Sequence, residues 1–168
     1  MSLNALVVMG VAGCGKSSIG RELAAELGWP LIEGDDFHSA ENRVLMAAGV
    51  PLTDAHRQGW LTMLAAELTR YPDGAVLSCS ALKRAYRDQL RAAHANLGFV
   101  YLELLPEQAL ARVRSRGAGH FFPASLVASQ FETLEPPLGE PAVLRLDATR
   151  EPAVLCQSAL DWLRADAK

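Results

Sequence analysis

The stretch from Ala5 to Ser18 reads ALVVMGVAGCGKSS, and this stretch decides the fold. Its first five residues, 5–9, are a continuous apolar run without alternation, which is typical of a parallel strand covered on both faces. Residues 10–17 fit the pattern glycine, four residues, glycine, lysine, serine, which is the P-loop. Apolar residues at helical spacing follow from Lys16 until Gly28, a left-handed stop. Strand, loop and helix therefore stand in the order that a phosphate-binding loop needs.

The P-loop predicts a site for the phosphates of a nucleotide. Its glycines let the backbone curl so that successive N–H groups point into one concavity, and the dipole of the following helix adds positive potential. Lys16 is expected to reach the β- and γ-phosphates as a catalytic charge, and the Ser17 hydroxyl to ligate Mg²⁺. A dinucleotide-binding fold is disfavoured, since the third glycine of its fingerprint is missing. The predicted nucleotide-binding residues are Gly10, Val11, Ala12, Gly13, Cys14, Gly15, Lys16, Ser17 and Ser18.

The rest of the chain alternates short apolar runs with helical patterns. The further predicted strands are 30–32, 75–77, 99–104 and 142–146. The further predicted helices are 41–48, 54–69, 83–94, 107–116, 126–134 and 152–164, and Asp54 is expected to cap the second of them. This alternation predicts one α/β domain over residues 1–168, with a mostly parallel five-stranded sheet and helices on both faces.

Composition bounds the partners and the compartment. The 168 residues are 50% hydrophobic, with a formal charge of −3 and a pI of about 5.8, which suits one domain and argues against a broad basic surface for nucleic acid or anionic lipid. The amino-terminal apolar run is brief and lacks a basic leader, and no apolar run reaches the length of a membrane span, so we expect a soluble protein. Cys14, Cys79 and Cys156 lack a metal-ligand spacing and are expected to be reduced thiols in the cytoplasm.

A P-loop alone does not separate kinases, motor ATPases and switch GTPases. The chain has neither an Asp-x-x-Gly segment nor an Asn-Lys-x-Asp guanine reader, which argues against a switch GTPase. The third predicted strand ends in Ser78-Cys79-Ser80, where a large ATPase should carry a metal-holding Asp. The fifth predicted strand is followed by Asp147, which resembles such a metal-holding Asp, but Asp147 is interpreted as the start of a surface loop. Small size and the polar segment 33–38 favour a kinase of a small molecule.

Five blocks of sequence resemble the gluconokinases, P-loop kinases of the thermoresistant gluconokinase type, over nearly the whole chain. They are VMGVAGCGKS at 8–17, GD at 34–35 with His38 and Asn42, GVPLTD at 49–54 with Arg57, Trp60 and Leu61, CSALK at 79–83 with YRD at 86–88 and LR at 90–91, and HF at 120–121 with SQF at 129–131 and LEP at 134–136. The chain departs from the family pattern at Glu33, Ser39, His56, Gly59 and the segment 118–119. These departures bear on substrate choice and leave the phosphate loop intact.

The resemblance implies ATP-dependent phosphorylation of gluconate to 6-phosphogluconate, with ATP and Mg²⁺ as cofactors and a homodimer as the assembly. It also implies that adenine lies between a mobile lid, at about 112–135, and the loop 147–152. Two alternatives stay open. One is a kinase of another small hydroxy acid such as shikimate, which would use the same phosphate loop with a different acid pocket. The other is a nucleotide-binding module without catalysis.

Asp35 is the candidate catalytic base. It comes just past the second predicted strand, at the carboxyl edge of the sheet, where open α/β folds place their ligands. There it is expected to orient the sugar hydroxyl and, with Ser17, to hold hydrated Mg²⁺. The neighbouring Asp36 fits an exposed turn aspartate better.

A gluconate-like substrate presents one carboxylate and five hydroxyls, so its pocket needs guanidinium or ammonium groups beside short polar side chains. Lys83 and Arg87 fit that need because they stand four apart on one predicted helix, although a solvated basic face is the plainer alternative. Trp60 is interpreted either as a pocket wall or as plain core. The predicted substrate-binding residues are Asp35, His38, Arg43, Arg57, Lys83, Arg87 and His120.

A basic run leads from the fifth predicted helix into glycines 117 and 119, which permit hinge-like movement. We interpret this segment as the lid, whose closure excludes water from the phosphates. Arg112 and Arg116, four apart, match the family's lid arginines and are predicted to bind the nucleotide, with Arg116 catalytic. Arg114 fits a solvated helix face.

Overall fold

The structure is a computed structural model that describes residues 2–116 and 123–167. Its strands are β1 (Ala5–Met9), β2 (Leu31–Glu33), β3 (Ala75–Ser78), β4 (Leu97–Glu103) and β5 (Val143–Asp147). Its α-helices are α1 (Lys16–Leu27), α2 (Ala40–Ala47), α3 (Asp54–Thr69), α4 (Arg84–Ala93), α5 (Pro106–Ser115), α6 (Val127–Thr133) and α7 (Pro152–Asp166). One 3₁₀ turn, Gly34–Phe37, directly follows β2, and another, Ala124–Leu126, directly precedes α6.

The five strands form one sheet in the order β2-β3-β1-β4-β5, and every neighbouring pair is parallel. In the central strand, Val7 is paired with Leu77 on one side and with Phe99 on the other. The predicted α/β fold with a parallel five-stranded sheet is confirmed. Because the strands are parallel, the segments that follow them meet at one edge of the sheet, where such folds bind ligands.

The core covers both faces of the sheet. All five residues of β1 are fully buried, and successive side chains of a strand point to opposite faces, so neither face is open to water. Helix α1 packs on β3 and against α7, and α3 packs against α4. Within α7, Leu155, Leu160 and Leu163 are buried, whereas Val154 is exposed.

The cap of α3 lies one residue before the predicted cap, Asp54. Thr53 is the capping residue: its Oγ1 accepts a hydrogen bond of 3.3 Å from the backbone N–H of His56, and its own N–H donates to His56 Nδ1 at 3.1 Å. Asp54 is therefore the first helical residue, and its carboxylate is free to bond elsewhere. Among the described residues, no helix has both the length and the apolar character needed to cross a membrane.

Candidate active site

A cavity of about 430 Å³ lies at the carboxyl edge of the sheet, in front of β1, β2 and β3. Its lining comes from many parts of the chain: the loop after β1 with the start of α1, the turn after β2, the end of α2 with the loop after it, helix α3, Ser80, Arg116 and the segment around α6. A second cavity of about 400 Å³ lies on the other side of the loop after β1, against Arg112 and residues 148–152. We call them the first and the second cavity.

The loop between β1 and α1 has the geometry of a phosphate site. Gly10 has φ 146°, and a Cβ there would lie 2.6 Å from the carbonyl oxygen of Leu102, so only glycine fits. Gly15, with φ 99°, is the residue before α1 and offers no side chain to cap the helix. The first N–H groups of α1 therefore have no side-chain cap, which is the condition for binding an anion.

Seven of the nine predicted nucleotide-binding residues line one or both cavities. Ala12, Gly13, Gly15, Lys16, Ser17 and Ser18 line the first cavity, and Gly13, Cys14, Gly15 and Ser18 line the second. The remaining two lie at the base of the loop. Gly10 donates its backbone N–H to the carbonyl of Ser80, and the carbonyl of Val11 accepts a hydrogen bond of 3.1 Å from Lys16 Nζ. The ammonium of Lys16 is thus folded over its own loop, beside the space that phosphates would fill.

The carboxylate of Glu33, which the sequence analysis named only as a departure from the family pattern, lies beside Ser17. The Ser17 hydroxyl donates a hydrogen bond of 3.0 Å to Glu33 Oε2, while Glu33 Oε1 is buried without a hydrogen-bond partner. A buried, unpartnered carboxylate oxygen next to a hydroxyl fits a hard cation such as Mg²⁺. Its position at the end of β2, beside the predicted metal residue Asp35, is the signal that could have identified it.

The described residues contain no group of three or more His, Cys, Asp and Glu side chains placed to hold a metal. Mg²⁺ in kinases is bound by one or two protein carboxylates together with phosphates and water. Ser17, Glu33 and Asp35 are the residues here that suit it.

Asp35 is brought to the first cavity by the 3₁₀ turn after β2. Gly34 allows this turn to press against the end of β3, because a Cβ at Gly34 would lie 2.5 Å from the carbonyl oxygen of Ser78. The carbonyl oxygen of Asp35 accepts a hydrogen bond of 2.9 Å from Arg43 Nη2. Arg43 therefore steadies the turn that carries Asp35 and does not itself line the cavity.

His38 and Trp60 form one wall of the first cavity. Their rings stack with centroids 4.3 Å apart, and Trp60 Nε1 donates a hydrogen bond of 2.7 Å to the carbonyl oxygen of Gly34. Trp60 is therefore both buried core and cavity wall. Burial lowers the pKa of His38 to about 4, although the nearby Asp35 carboxylate acts in the opposite direction. The imidazole is neutral at pH 7.

Arg57 brings a positive charge to the same wall from α3, although only 8% of the residue is exposed. Its Nη1 donates a hydrogen bond of 3.3 Å to the hydroxyl of Tyr86, and its guanidinium lies 5.6 Å from the centre of the Tyr86 ring. The Tyr86 hydroxyl in turn donates to the carboxylate of Asp54. Tyr86 thus holds Arg57 at the cavity both by its ring and by its hydroxyl.

Two predicted substrate residues, Lys83 and Arg87, do not line either cavity. Lys83 precedes α4 and binds the carboxylate of Asp54 at 2.9 Å, so it does not share a helical face with Arg87. Arg87 is fully buried, and its guanidinium bonds the carboxylate of Glu140 and three backbone carbonyls. The prediction that Arg87 binds substrate is therefore corrected: every N–H of its guanidinium is used within the protein.

Of the predicted lid residues, Arg112 lines the second cavity and Arg116 lies at both cavities, beside the P-loop. Arg112 donates to the carbonyl oxygens of Gly13 at 3.2 Å and Ala148 at 2.8 Å, joining the P-loop to the loop after β5. Arg116 lines both cavities. His120 and the glycines at 117 and 119 fall outside the described residues, so the predictions on them stay untested.

Gln130 on α6 is a site residue that the sequence analysis did not single out. Its Oε1 accepts a hydrogen bond of 2.7 Å from the backbone N–H of Ala12, and its side chain lines the first cavity. Its place in the SQF block at 129–131 was the available signal, but nothing in that block pointed to a contact 118 residues away.

A P-loop at the end of the central strand of a parallel sheet, facing an acidic turn across one cavity, defines a P-loop kinase. A model of the shikimate kinase family matches residues 12–131, and the shikimate kinase of Aquifex aeolicus shares the fold, with a TM-score of 0.63 at 15% identity over 97% of this chain and 98% of that one.

Within that class, the chain belongs to the gluconokinases. The gluconokinase of Gluconobacter oxydans is 41% identical over 96% of this chain and 92% of the relative, and the thermoresistant gluconokinase of Escherichia coli is 41% identical over 84% and 82%. The crystal structure of a gluconokinase from Sinorhizobium meliloti 1021 superposes with a TM-score of 0.88 at 42% identity, covering 96% of this chain and 92% of that one. The resemblance noted in the sequence is confirmed.

Proposed function

We propose that the protein transfers the γ-phosphoryl group of ATP to gluconate and releases ADP and 6-phosphogluconate. The observation that carries the proposal is the first cavity itself, in which the P-loop faces Asp35, His38 and Arg57 in one space. Such a space accepts a polyphosphate at one end and an acid with many hydroxyls at the other. Relatives about 40% identical over most of the chain are named gluconokinases.

The nucleotide is held by the P-loop. Its phosphates accept hydrogen bonds from the backbone N–H groups at the start of α1, and Lys16 moves from the Val11 carbonyl to the β- and γ-phosphates. Arg116 lies between the two cavities, so its guanidinium faces the charge that develops on the moving phosphoryl group. Adenine occupies the second cavity, beside Arg112 and residues 148–152.

Ser17, Glu33 and Asp35 would hold hydrated Mg²⁺, with Glu33 offering the carboxylate oxygen that has no partner among the described residues. When bound, the ion neutralises charge on the β- and γ-phosphates.

Gluconate lies with its carboxylate on Arg57 and its terminal hydroxyl at Asp35. The Asp35 carboxylate takes the proton of that hydroxyl, the oxygen bonds to the γ-phosphorus, and the bond from that phosphorus to the β–γ bridging oxygen breaks. His38, being neutral, offers hydrogen bonding without competing with Arg57 for the carboxylate.

A panel of sugar acids assayed for ADP release tests this proposal. We expect turnover of gluconate and none of shikimate, and we expect Asp35→Asn to lower kcat by at least about a hundredfold with little change in the KM for ATP. Gluconate turnover no higher than background would overturn the substrate, and an undiminished kcat in Asp35→Asn would overturn the base.

We further propose a single domain with a lid at 112–135, a homodimer, and a cytoplasmic location. Arg116, near the start of the proposed lid, and Gln130, near its end, both line the first cavity. This supports closure of the lid over that cavity. Among the described residues the three cysteines are free and buried, in keeping with a reducing compartment. Light scattering on the purified protein measures the assembly directly.

A further inference from the structure

The ring of His38 is fixed by its neighbours. One face stacks on Trp60 with 14° between the ring planes. Its Nδ1 faces the side-chain amide of Asn42, with Asn42 Nδ2 at 3.5 Å. Asn42 is itself buried, and its backbone N–H donates to the Ser39 hydroxyl at 3.1 Å at the start of α2. The ring is therefore held in one orientation by the protein alone.

The orientation of the Asn42 amide decides which ring nitrogen carries the hydrogen. Asn42 Nδ2 donates a hydrogen bond of 2.9 Å to the carbonyl oxygen of His56, so this end of the amide is the NH₂ group. An NH₂ group can only donate, so the facing Nδ1 of His38 is an acceptor without a hydrogen. The neutral ring must then carry its hydrogen on Nε2.

The charges around the ring come from three elements. Asp35 lies in the turn before it, Arg43 on α2 and Arg57 on α3. A ring whose Nδ1 accepts from the Asn42 amide has no hydrogen on that atom, so this contact makes it a neutral ring with its hydrogen on Nε2. His38 lines the first cavity, and none of the described residues accepts a hydrogen bond from its Nε2–H.

We infer that the Nε2–H of His38, held in this tautomer by Asn42, donates a hydrogen bond to one hydroxyl oxygen of the substrate that receives the phosphoryl group. The site therefore selects substrates that carry a hydroxyl at the carbon facing Nε2. The identity of the acceptor rests on the proposed function. Charged Arg57 is the stronger partner for a carboxylate, which leaves a hydroxyl for the neutral N–H. An acceptor without that hydroxyl leaves a buried N–H unpaired, and sites of this kind reject such analogues strongly. Asn42 is a positioning residue, since it acts through His38.

Ring ¹⁵N NMR on the full chain reads the tautomer without any substrate. The His38 signals are assigned by their loss in His38→Gln, and we expect the Nε2–H pattern, unchanged between pH 6 and pH 8. His56 is an internal reference, because its Nδ1 accepts from the backbone N–H of Thr53 and its neutral form has the same tautomer. Asn42→Asp places a carboxylate against Nδ1 and should move the hydrogen there. A wild-type ring with its hydrogen on Nδ1, or charged at pH 7, overturns the inference.

Two variants of His38 separate the donor from the stacked ring. His38→Phe keeps a ring against Trp60 and removes the donor, and we expect the KM for gluconate to rise about tenfold while the KM for ATP stays within twofold. His38→Gln puts an amide N–H near the position of Nε2 and should recover most of that loss. A KM for gluconate that is unchanged in His38→Phe, or no better in His38→Gln, overturns the donor role.

These outcomes are distinguishable from failure of the proposed function. A wild-type protein that does not turn over gluconate overturns the proposed function together with the assignment of this donor to gluconate. A wrong tautomer in an active gluconokinase overturns this inference alone.

Discussion

At the scale of the residue, Arg57 depends on one hydroxyl. The Tyr86 hydroxyl accepts from Arg57 Nη1 and donates to Asp54, and it therefore sets where the guanidinium meets the cavity. Tyr86→Phe removes these bonds and keeps the ring under Arg57. We expect the KM for gluconate to rise about three- to tenfold, since a hydrogen bond of this kind contributes about 0.5–1.5 kcal/mol, and the KM for ATP to stay unchanged.

Steady-state kinetics with each substrate varied in turn measures this effect. Tyr71→Phe is the matched control, because Tyr71 lies against Arg70 after the end of α3 and lines neither cavity. Equal rises of both KM values in Tyr86→Phe would show that Tyr86 does not act through Arg57.

Single residues also show which parts of the site could be predicted from the sequence and which could not. Lys16, Ser17 and Asp35 could be predicted to meet because each follows a strand of one parallel sheet. The role of Arg87 could not, since its partner Glu140 lies 53 residues away in a segment without regular structure. A basic residue on a helix carries the same sequence signal whether its guanidinium faces a substrate or a buried carboxylate.

At the scale of the element, Arg87 joins α4 to the segment between α6 and β5. Its guanidinium bonds Glu140 and the carbonyl of Glu135 on one side and the carbonyls of Ala81 and Leu82 on the other. Arg87→Ala leaves a buried carboxylate without its main partner, and we expect a loss of about 3–5 kcal/mol in the free energy of unfolding. Gluconate KM should change little in protein that remains folded.

Urea unfolding followed by circular dichroism measures that loss. Arg84→Ala is the control, because Arg84 is exposed and pairs with Asp88 only at 3.6 Å, so its removal should cost little stability. If Arg87→Ala were as stable as wild type and bound gluconate poorly, the corrected, structural role of Arg87 would be wrong and the original prediction right.

Helix α6 is hydrogen-bonded to the P-loop through the side-chain amide of Gln130. Gln130 Oε1 accepts from the N–H of Ala12, so Gln130→Ala removes the side-chain link between this helix and the phosphate loop. We expect kcat/KM for gluconate to fall about tenfold or more, because closure over the phosphates loses a fixed contact. Gln89→Ala, on the exposed part of α4, should leave kcat/KM as in wild type, and the same kinetics for both variants would contradict a role of Gln130 in closure.

Element boundaries were predicted to within one or two residues, and the errors have local causes. Sequence favoured Asp54 as the cap of α3, but the reciprocal bonds of Thr53 with His56 place the cap one residue earlier. Strand β4 begins at Leu97, two residues before the predicted start, because its ladder with β1 already opens at Ala5. Such pairings depend on a distant strand and are invisible in a local pattern.

At the scale of the whole molecule, the sequence predicts the fold well because alternating strands and helices with right-handed crossovers allow few sheets. The same alternation cannot show which side chains close the cavity from α3 and α6. Arg57 and Gln130 line it from α3 and α6, while Glu33 at the end of β2 accepts a hydrogen bond from Ser17 of the P-loop. Only the packed structure brings these three parts of the chain together.

Nucleotide binding should therefore stabilise the entire domain, since the P-loop is tied to β1, α1, α5 and α6. A non-hydrolysable ATP analogue with Mg²⁺, at about one hundred times its Kd, should add about 2.7 kcal/mol to the free energy of unfolding, or about 5–10 °C in Tm. Lys16→Ala should lose most of this shift at the same ligand concentration, because the ammonium beside the phosphate site is gone. Lys83→Ala is the matched control: its ammonium pairs with Asp54 outside both cavities, so its shift should equal that of wild type. Differential scanning calorimetry compares the three proteins, and a full shift in Lys16→Ala would mean that the loop does not bind phosphate through this lysine.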